Sequence, residues 1–281
     1  MSNGNIYAFS DEPRGRLPDT SAEVTWKKTA NFGPSTIIID NGSYECRAGY
    51  AAQQEPCLTF KNLVYRQKGR NSDPDMILVG MDLENLETLR SQLKSPFDKN
   101  VVTQFDAQEM VCDYIFSKLG VTSEEQVDHP VFMSEPIVNP NHCRKYMSEL
   151  LFECYSTPCI GYYTDALGAW YHSQGKATPN QNALIVSIGY QTTHVIPVVD
   201  GAIDQPNVRR ISIGGYHLDF FMQRLLQLKY PIHSPVISLS RSEEIVQKHA
   251  WIAEHYQDTC TSWLDESFYD KKVNDLFTVL V

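Results

Sequence analysis

The chain has 281 residues, 42% of them hydrophobic, and carries 24 Lys and Arg against 34 Asp and Glu for a net charge of -10. That length supports a sizeable core in one or two globular units, and the acid excess argues against nucleic-acid binding by the surface as a whole. No apolar run reaches the roughly 18 residues of a membrane helix, and seven scattered cysteines lack both a secretory signal and a Cys-x-x-Cys pair, so a soluble chain with reduced thiols, no membrane partner and no zinc site is expected.

Residues 1–34 are polar, with Pro13, Gly15, Pro18, Gly33 and Pro34 interrupting any period. They predict an extended or partly ordered arm. From Thr36 to Tyr50 a β-branched run meets an Asn-Gly turn and resumes with alternating residues, which reads as strand, tight turn, strand. Gly42 lets the backbone of such a turn approach a ligand, and Asn41, Gly42, Ser43 and Tyr44 form a candidate nest of donors for a phosphate. The Ser43 hydroxyl and the Arg47 guanidinium can add to that grip, and Asp40 can hold a hydrated magnesium ion. A hairpin of this kind is most often only a hairpin, so the spacing by itself does not decide.

Residues 61–100 mix charged and turn residues, with a helical stretch predicted near Leu83 to Leu93. Lys61, Arg66, Lys68 and Arg70 make a basic loop free of acids, followed by an acid-rich stretch from Asp73 to Glu87. That loop is a candidate contact for DNA or a nucleosome, although a charge run is usually only solvated surface. Helices are predicted over 106–119, 140–155 and 165–173, and Trp170 and Tyr171 in the last of these read as core. Residues 183–201 repeat the strand, glycine turn, strand device, with Gly189, Tyr190, Gln191 and Thr192 at the turn. A helix over 217–228 carries an apolar stripe of Leu218, Phe221, Met222, Leu225 and Leu226 that most simply packs on a sheet. Two like hairpins imply two related α/β halves around a cleft.

Asp40-Asn41-Gly42-Ser43, Ala48-Gly49, His129-Pro130-Val131 leading to Glu135, Asn139-Pro140, Phe152-Glu153 and Thr157-Pro158 fall in the order of actin's landmarks, and the chain resembles the actin superfamily over roughly residues 35 to 265. The resemblance implies an α/β fold of duplicated, ribonuclease H-like domains around a nucleotide cleft that takes ATP or ADP with magnesium. Its first half would span 35–165 with a small second subdomain at about 61–100, and 166–281 would begin a second half left incomplete at the C-terminus. The stretch 275–281, which ends on an apolar run, fits that reading as an end normally buried by further sequence.

Carried over position by position, the resemblance puts Asp40, Gly42 and Ser43 in the first phosphate loop, Arg47 in place of a lysine, and His194 beside the attacking water. Ser187 replaces the aspartate that closes the magnesium site, Gly189-Tyr190-Gln191 replaces Gly-Asp-Gly, and Asp165 replaces the glutamine that orients the water. The Lys-Glu pair that meets adenosine is missing after Glu243-Glu244. Phosphoryl transfer relies on metal placement and charge stabilisation, so these losses predict no catalytic residues and no turnover. The branch of the superfamily this pattern resembles is nuclear. It implies a structural subunit of the Ino-eighty chromatin-remodelling complex, supporting nucleosome engagement, transcription regulation and DNA repair beside a small partner subunit and a separate motor ATPase. The alternative is an actin-like ATPase with slow turnover of its own.

Overall fold

The structure is a computed structural model that describes residues 36–67, 69, 76–83, 93–121, 127–174 and 182–267. The chain divides into two compact units, residues 1–221 and 222–281. The arm expected at 1–34 lies outside the described residues, as do the helix expected near Leu83 to Leu93, except for its two end residues, and the apolar end at 275–281.

The first unit is built on a five-stranded sheet. Strands β1 (Ile37–Asn41) and β2 (Glu45–Tyr50) form the predicted hairpin, and β3 (Leu58–Lys61) extends it antiparallel. Strands β4 (Val64–Gln67), β5 (Met76–Val79) and β6 (Leu93–Lys94) make a separate small sheet ordered β5-β4-β6. Strands β7 (Phe97–Asp98) and β8 (Val101–Val102) pair as a short hairpin. The basic segment at 61–70 was expected as a loop. In the structure Lys61 ends β3 and Arg66 lies within β4, while Lys68 and Arg70 are outside the described residues. Val64 and Tyr65 are buried, and their pairing with both β5 and β6 makes part of that segment a strand.

Helix α1 (Phe105–Lys118) follows, with Asp106 in its first turn and Lys118 in its last, each favourable to the helix dipole. Strand β9 (Val131–Glu135) then runs parallel to β1, and helix α2 (Asn141–Glu149) leads through a π-turn at Leu150–Cys154 to β10 (Ile160–Thr164), parallel to β9. The sheet order is β10-β9-β1-β2-β3. Its core face carries Ile37, Ile39, Cys46, Ala48, Val131 and Met133, packed with Val111, Ile115 and Phe116 of α1 and with Leu151. Period-two burial in β1 is the reason: Ile37 and Ile39 turn inward while Ile38 points to the other face. Each such fully buried side chain contributes roughly 1.5–3 kcal/mol.

Helix α3 (Asp165–Gln174) starts directly from β10. Strands β11 (Ala183–Ile188) and β12 (Thr193–Val199) form the second predicted hairpin, and β13 (Ala202–Ile203) and β14 (Arg209–Ile211) pair with the other edge of β12. Ile196 packs with Ile137 and Ala166 in a smaller core, joined by Ile185, Ile203 and Val208. Leu184, Val186 and Ile188 line the opposite face of β11 and are exposed. Trp170 is buried as expected, but Tyr171 is exposed and only tilts against the Trp170 ring at 4.9 Å. The helix expected at 217–228 is longer, α4 (Gly215–Lys229). Its stripe does not pack as expected: Leu218, Phe221 and Leu225 are exposed, and the buried member of the helix is Asp219.

In the second unit, α5 (Leu239–His249) is capped by Ser238, whose hydroxyl accepts from the Arg241 N–H at 3.2 Å, and α6 (Tyr256–Trp263) follows. Glu244 pairs with Lys248 one turn on, an exposed pair. No helix among the described residues is long and apolar enough to cross a membrane.

Glu135, at the end of β9, anchors the link from sheet to α2. Arg144 meets it with a forked ion pair, Nε to Oε2 at 2.9 Å and Nη2 to Oε1, and the Asn139 amide donates to Oε2 at 3.1 Å. The two side chains are only 13% and 11% exposed, so removing one leaves the other charge buried without its counter-ion. Glu135→Ala is expected to lower unfolding stability by about 3 kcal/mol, measured by urea denaturation with a Glu135→Gln control that retains the acceptor.

Candidate functional site: two facing hairpin turns

The first turn is fixed from below by a buried amide network. Asn41 donates its N–H to Ser134 Oγ at 2.8 Å and its side-chain amide to Gln108 Oε1 at 2.9 Å. Asn62, fully buried, donates to Asn41 Oδ1 at 2.9 Å and to the Gly42 carbonyl at 3.0 Å. A side chain on Gly42 would place its Cβ 2.5 Å from the Glu45 carbonyl oxygen, so glycine is required for the turn to close. Asn41 therefore spends its side chain within the fold, while Ser43 and Tyr44 continue the turn.

Asp40 sits beside this network with both oxygens engaged. Ser134 donates its hydroxyl to Oδ1 at 2.9 Å, and Arg47 reaches Oδ2 at 3.2 Å while also pairing with Glu45 at 2.8 Å. Asp165, at the head of α3, accepts the Ala166 N–H at 2.7 Å. Burial raises its pKa, and the neighbouring Asp40 charge raises it further, against the lowering effect of that N–H. Burial likewise raises Tyr163, with Asp40 and Asp165 adding to it. The two carboxylates and the phenol thus share one electrostatic neighbourhood.

The second turn rests on the start of α4. Gly189 closes it by donating to the Thr192 carbonyl at 2.9 Å, and Gly215 and Tyr216 donate their N–H groups to the Gly189 and Tyr190 carbonyls at 3.1 and 2.8 Å. A Cβ on Gly214 would lie 2.4 Å from the Gly189 oxygen and 2.5 Å from that of Tyr190. Sequence reading missed Gly214-Gly215, although a Gly-Gly pair ahead of a helical stripe was a visible signal. Thr192 and His194 are buried, and Thr192 Oγ1 and His194 Nε2 have no hydrogen-bond partner among the described residues. Such orphaned atoms fit a polar group or water held at this turn. Burial lowers the His194 pKa, helped by Arg210, and keeps the ring neutral near pH 7.

The turns meet. The rings of Tyr44 and Tyr190 are 4.9 Å apart, and Lys61 Nζ lies 5.2 Å from the Tyr44 centroid. A pair of that geometry contributes about 0.5–1.5 kcal/mol beyond its area. Gln191 Oε1 accepts the Asn100 N–H at 2.6 Å, and Arg210 donates to the Lys99 carbonyl. Lys99 and Asn100 form the β7–β8 turn with φ of 46° and 68°, left-handed values that Asn tolerates and Lys adopts at some cost. Sequence inspection gave no sign of Asn100, Ser134 or Arg210 in this role.

The donors present fit a metal poorly. The Asp40 carboxylate is already shared between Ser134 and Arg47, burial disfavours the charged form of Asp165, and the strand position of Ser187 has no carboxylate to offer. Among the described residues no group of three or more His, Cys, Asp or Glu could hold an ion.

Residues 33–274 match the family described as Actin, and the chain belongs to the actin family. The mixed α/β architecture with its paired hairpins is the actin-like fold of that family. Among relatives, actin-related protein 5 of Drosophila melanogaster is 42% identical over 257 residues, 86% of this chain and 40% of the relative. Actin-related protein 5 of Gallus gallus is 40% identical over 98% of this chain and 46% of the relative, and that of Homo sapiens 42% identical over 86% and 41%. The chain thus spans less than half the length of these relatives. Ser95-Pro96-Phe97-Asp98, Gly189-Tyr190-Gln191 and Leu239-Ser240-Arg241 are the sequence features that point to the same set of actin-related proteins.

The raised Asp165 pKa has a sign that can be tested. Its charged form is disfavoured in the fold, so its contribution to stability is fully present below its unfolded pKa and is lost as pH rises from there through the raised folded pKa. Asp165→Asn keeps an acceptor for Ala166 and removes the charge. It is expected to raise Tm at pH 8, with the gain shrinking towards pH 4, in melts followed by circular dichroism.

Proposed function

We propose that the chain is part of a nuclear, structural actin-related subunit of a chromatin-remodelling assembly of the Ino-eighty type, and that its cleft does not turn nucleotide over. On this reading a small partner subunit and a separate motor ATPase complete the assembly, and the actin-like body helps the motor engage nucleosomes during remodelling, transcription regulation and repair. One observation carries the reading. The residues standing where an ATPase needs its second acidic clamp, Tyr190 and Gln191, are used for contacts to Tyr44 and Asn100, and Ser187 supplies no carboxylate. Phosphoryl transfer without a well-placed metal loses most of its charge stabilisation.

ATP or ADP, when bound, would be gripped by the Gly42 to Tyr44 turn and the Gly189 to Thr192 turn. The unpartnered Thr192 and His194 atoms support a polar occupant there. Single-turnover assays with radiolabelled ATP and magnesium are expected to show no phosphate release above the protein-free blank. Release that disappears in Asp40→Ala would instead establish the slow-ATPase reading.

Nucleosome contact, direct or through partners, belongs to the same proposal. Because Lys61 packs over Tyr44, the basic segment is best probed through the other three cations. Reversing Arg66, Lys68 and Arg70 to Glu in the assembled complex is expected to weaken nucleosome binding and to flatten its log–log salt slope by about 0.9 for each phosphate no longer neutralised. Unchanged binding would place the contact on other subunits.

A further inference from the structure

Besides the apolar packing of Ile196 on Ile137, three contacts among the described residues join the second hairpin and its neighbour β14 to the first half of the chain, and these three involve the turns or side chains that would otherwise surround a ligand. Tyr190 packs on Tyr44, Gln191 accepts from Asn100, and Arg210 donates to Lys99. The Tyr190 ring is itself supported: its backbone is pinned by Gly215 and Tyr216, the Tyr216 ring lies 5.9 Å away edge-on, and Phe220 stacks on Tyr216 at 6.1 Å. On the facing side Tyr44 is backed by Lys61, and the Asn100 N–H is aimed at Gln191 by a turn held in left-handed geometry.

A two-lobed cleft without such contacts needs its ligand to join the lobes, because closure must be stabilised by something bound between them. Here side chains supply the junction. The geometry points to a protein-made strap, Tyr44–Tyr190 with Gln191–Asn100, that holds the two hairpins together with no nucleotide bound. The strap competes with any polyphosphate for the space between the turns. This goes beyond the structural-subunit reading and is tested separately from it, since it concerns closure and not hydrolysis.

The Asn100 amide is a reporter built into the strap, because its N–H bond crosses from one half to the other. Amide exchange of the full 281-residue chain is followed at Asn100 without nucleotide, with Val111 in the core of α1 as the internal reference for intact folding. Tyr190→Ala is expected to speed exchange at Asn100 by about tenfold or more while Val111 stays protected. Tyr190→Phe, which keeps the ring, is expected to leave Asn100 as in the parent. Should Tyr190→Ala lose protection at Val111 as well, Tyr44→Ala removes the same ring contact from the opposite half and is expected to give the Asn100 effect alone.

A second arm titrates MgADP by calorimetry. The strap predicts tighter MgADP binding in Tyr190→Ala than in the parent. Asn100 exchange unaffected by removal of either ring, or fast in the parent until MgADP is added, overturns the proposal. Detected ATP hydrolysis with a protected Asn100 would remove the structural-subunit reading and leave the strap standing.

Discussion

The buried amide network around Asn41 is the constraint on which the rest of the site depends. Asn41, Gln108, Asn62 and Ser134 come from β1, α1, the end of the β2–β3 ribbon and β9, and they meet at one point beneath the first turn. In a low-dielectric interior such a network is rigid when satisfied and costly when broken. It sets the height of the Gly42 carbonyl, the direction of Tyr44, and, through Ser134, the orientation of the Asp40 carboxylate. The one unpaired atom in it, Asn62 Oδ1, is outweighed by the hydrogen bonds around it.

The two hairpins are alike in backbone and unlike in chemistry. Each is a strand pair closed by a glycine, Gly42 with no room for a side chain and Gly189 with little, and each is braced by a separate element, the amide network for one and the head of α4 for the other. The first retains a carboxylate, but Arg47 and Ser134 neutralise and occupy it. The second has traded acidity for an aromatic ring and an amide. On the structural-subunit reading proposed above, this pair of turns joined by side chains fixes an angle and does not cycle through one.

Much of the fold was legible because it rests on periodicity. The β-branched run at Ile37 to Ile39, the Asn-Gly turn, the repeat of the device at residues 183–201 and the apolar spacing of α1 each signal locally what they form. Tyr171 and the α4 stripe misled the reading because an apolar side chain at helical spacing states a preference for burial without naming the surface that provides it. The meeting of Tyr44 with Tyr190 was legible only as two bulky residues at two turns. Asn100, Ser134 and Arg210 carried no local sign at all, since each acts through a contact between segments distant in sequence that only the folded chain brings together.

Asn-Gly dipeptides are chemically fragile, because the glycine nitrogen readily attacks the preceding side-chain amide, closing a succinimide that opens to aspartate or isoaspartate. In the fold the Asn41 amide is engaged at both ends, donating to Gln108 and accepting from Asn62, and those bonds restrain the rotation that the attack needs. A chain that unfolds for long enough will age at this bond and return with a carboxylate in place of the amide. The intactness of Asn41 therefore records how continuously a given molecule has kept its first turn.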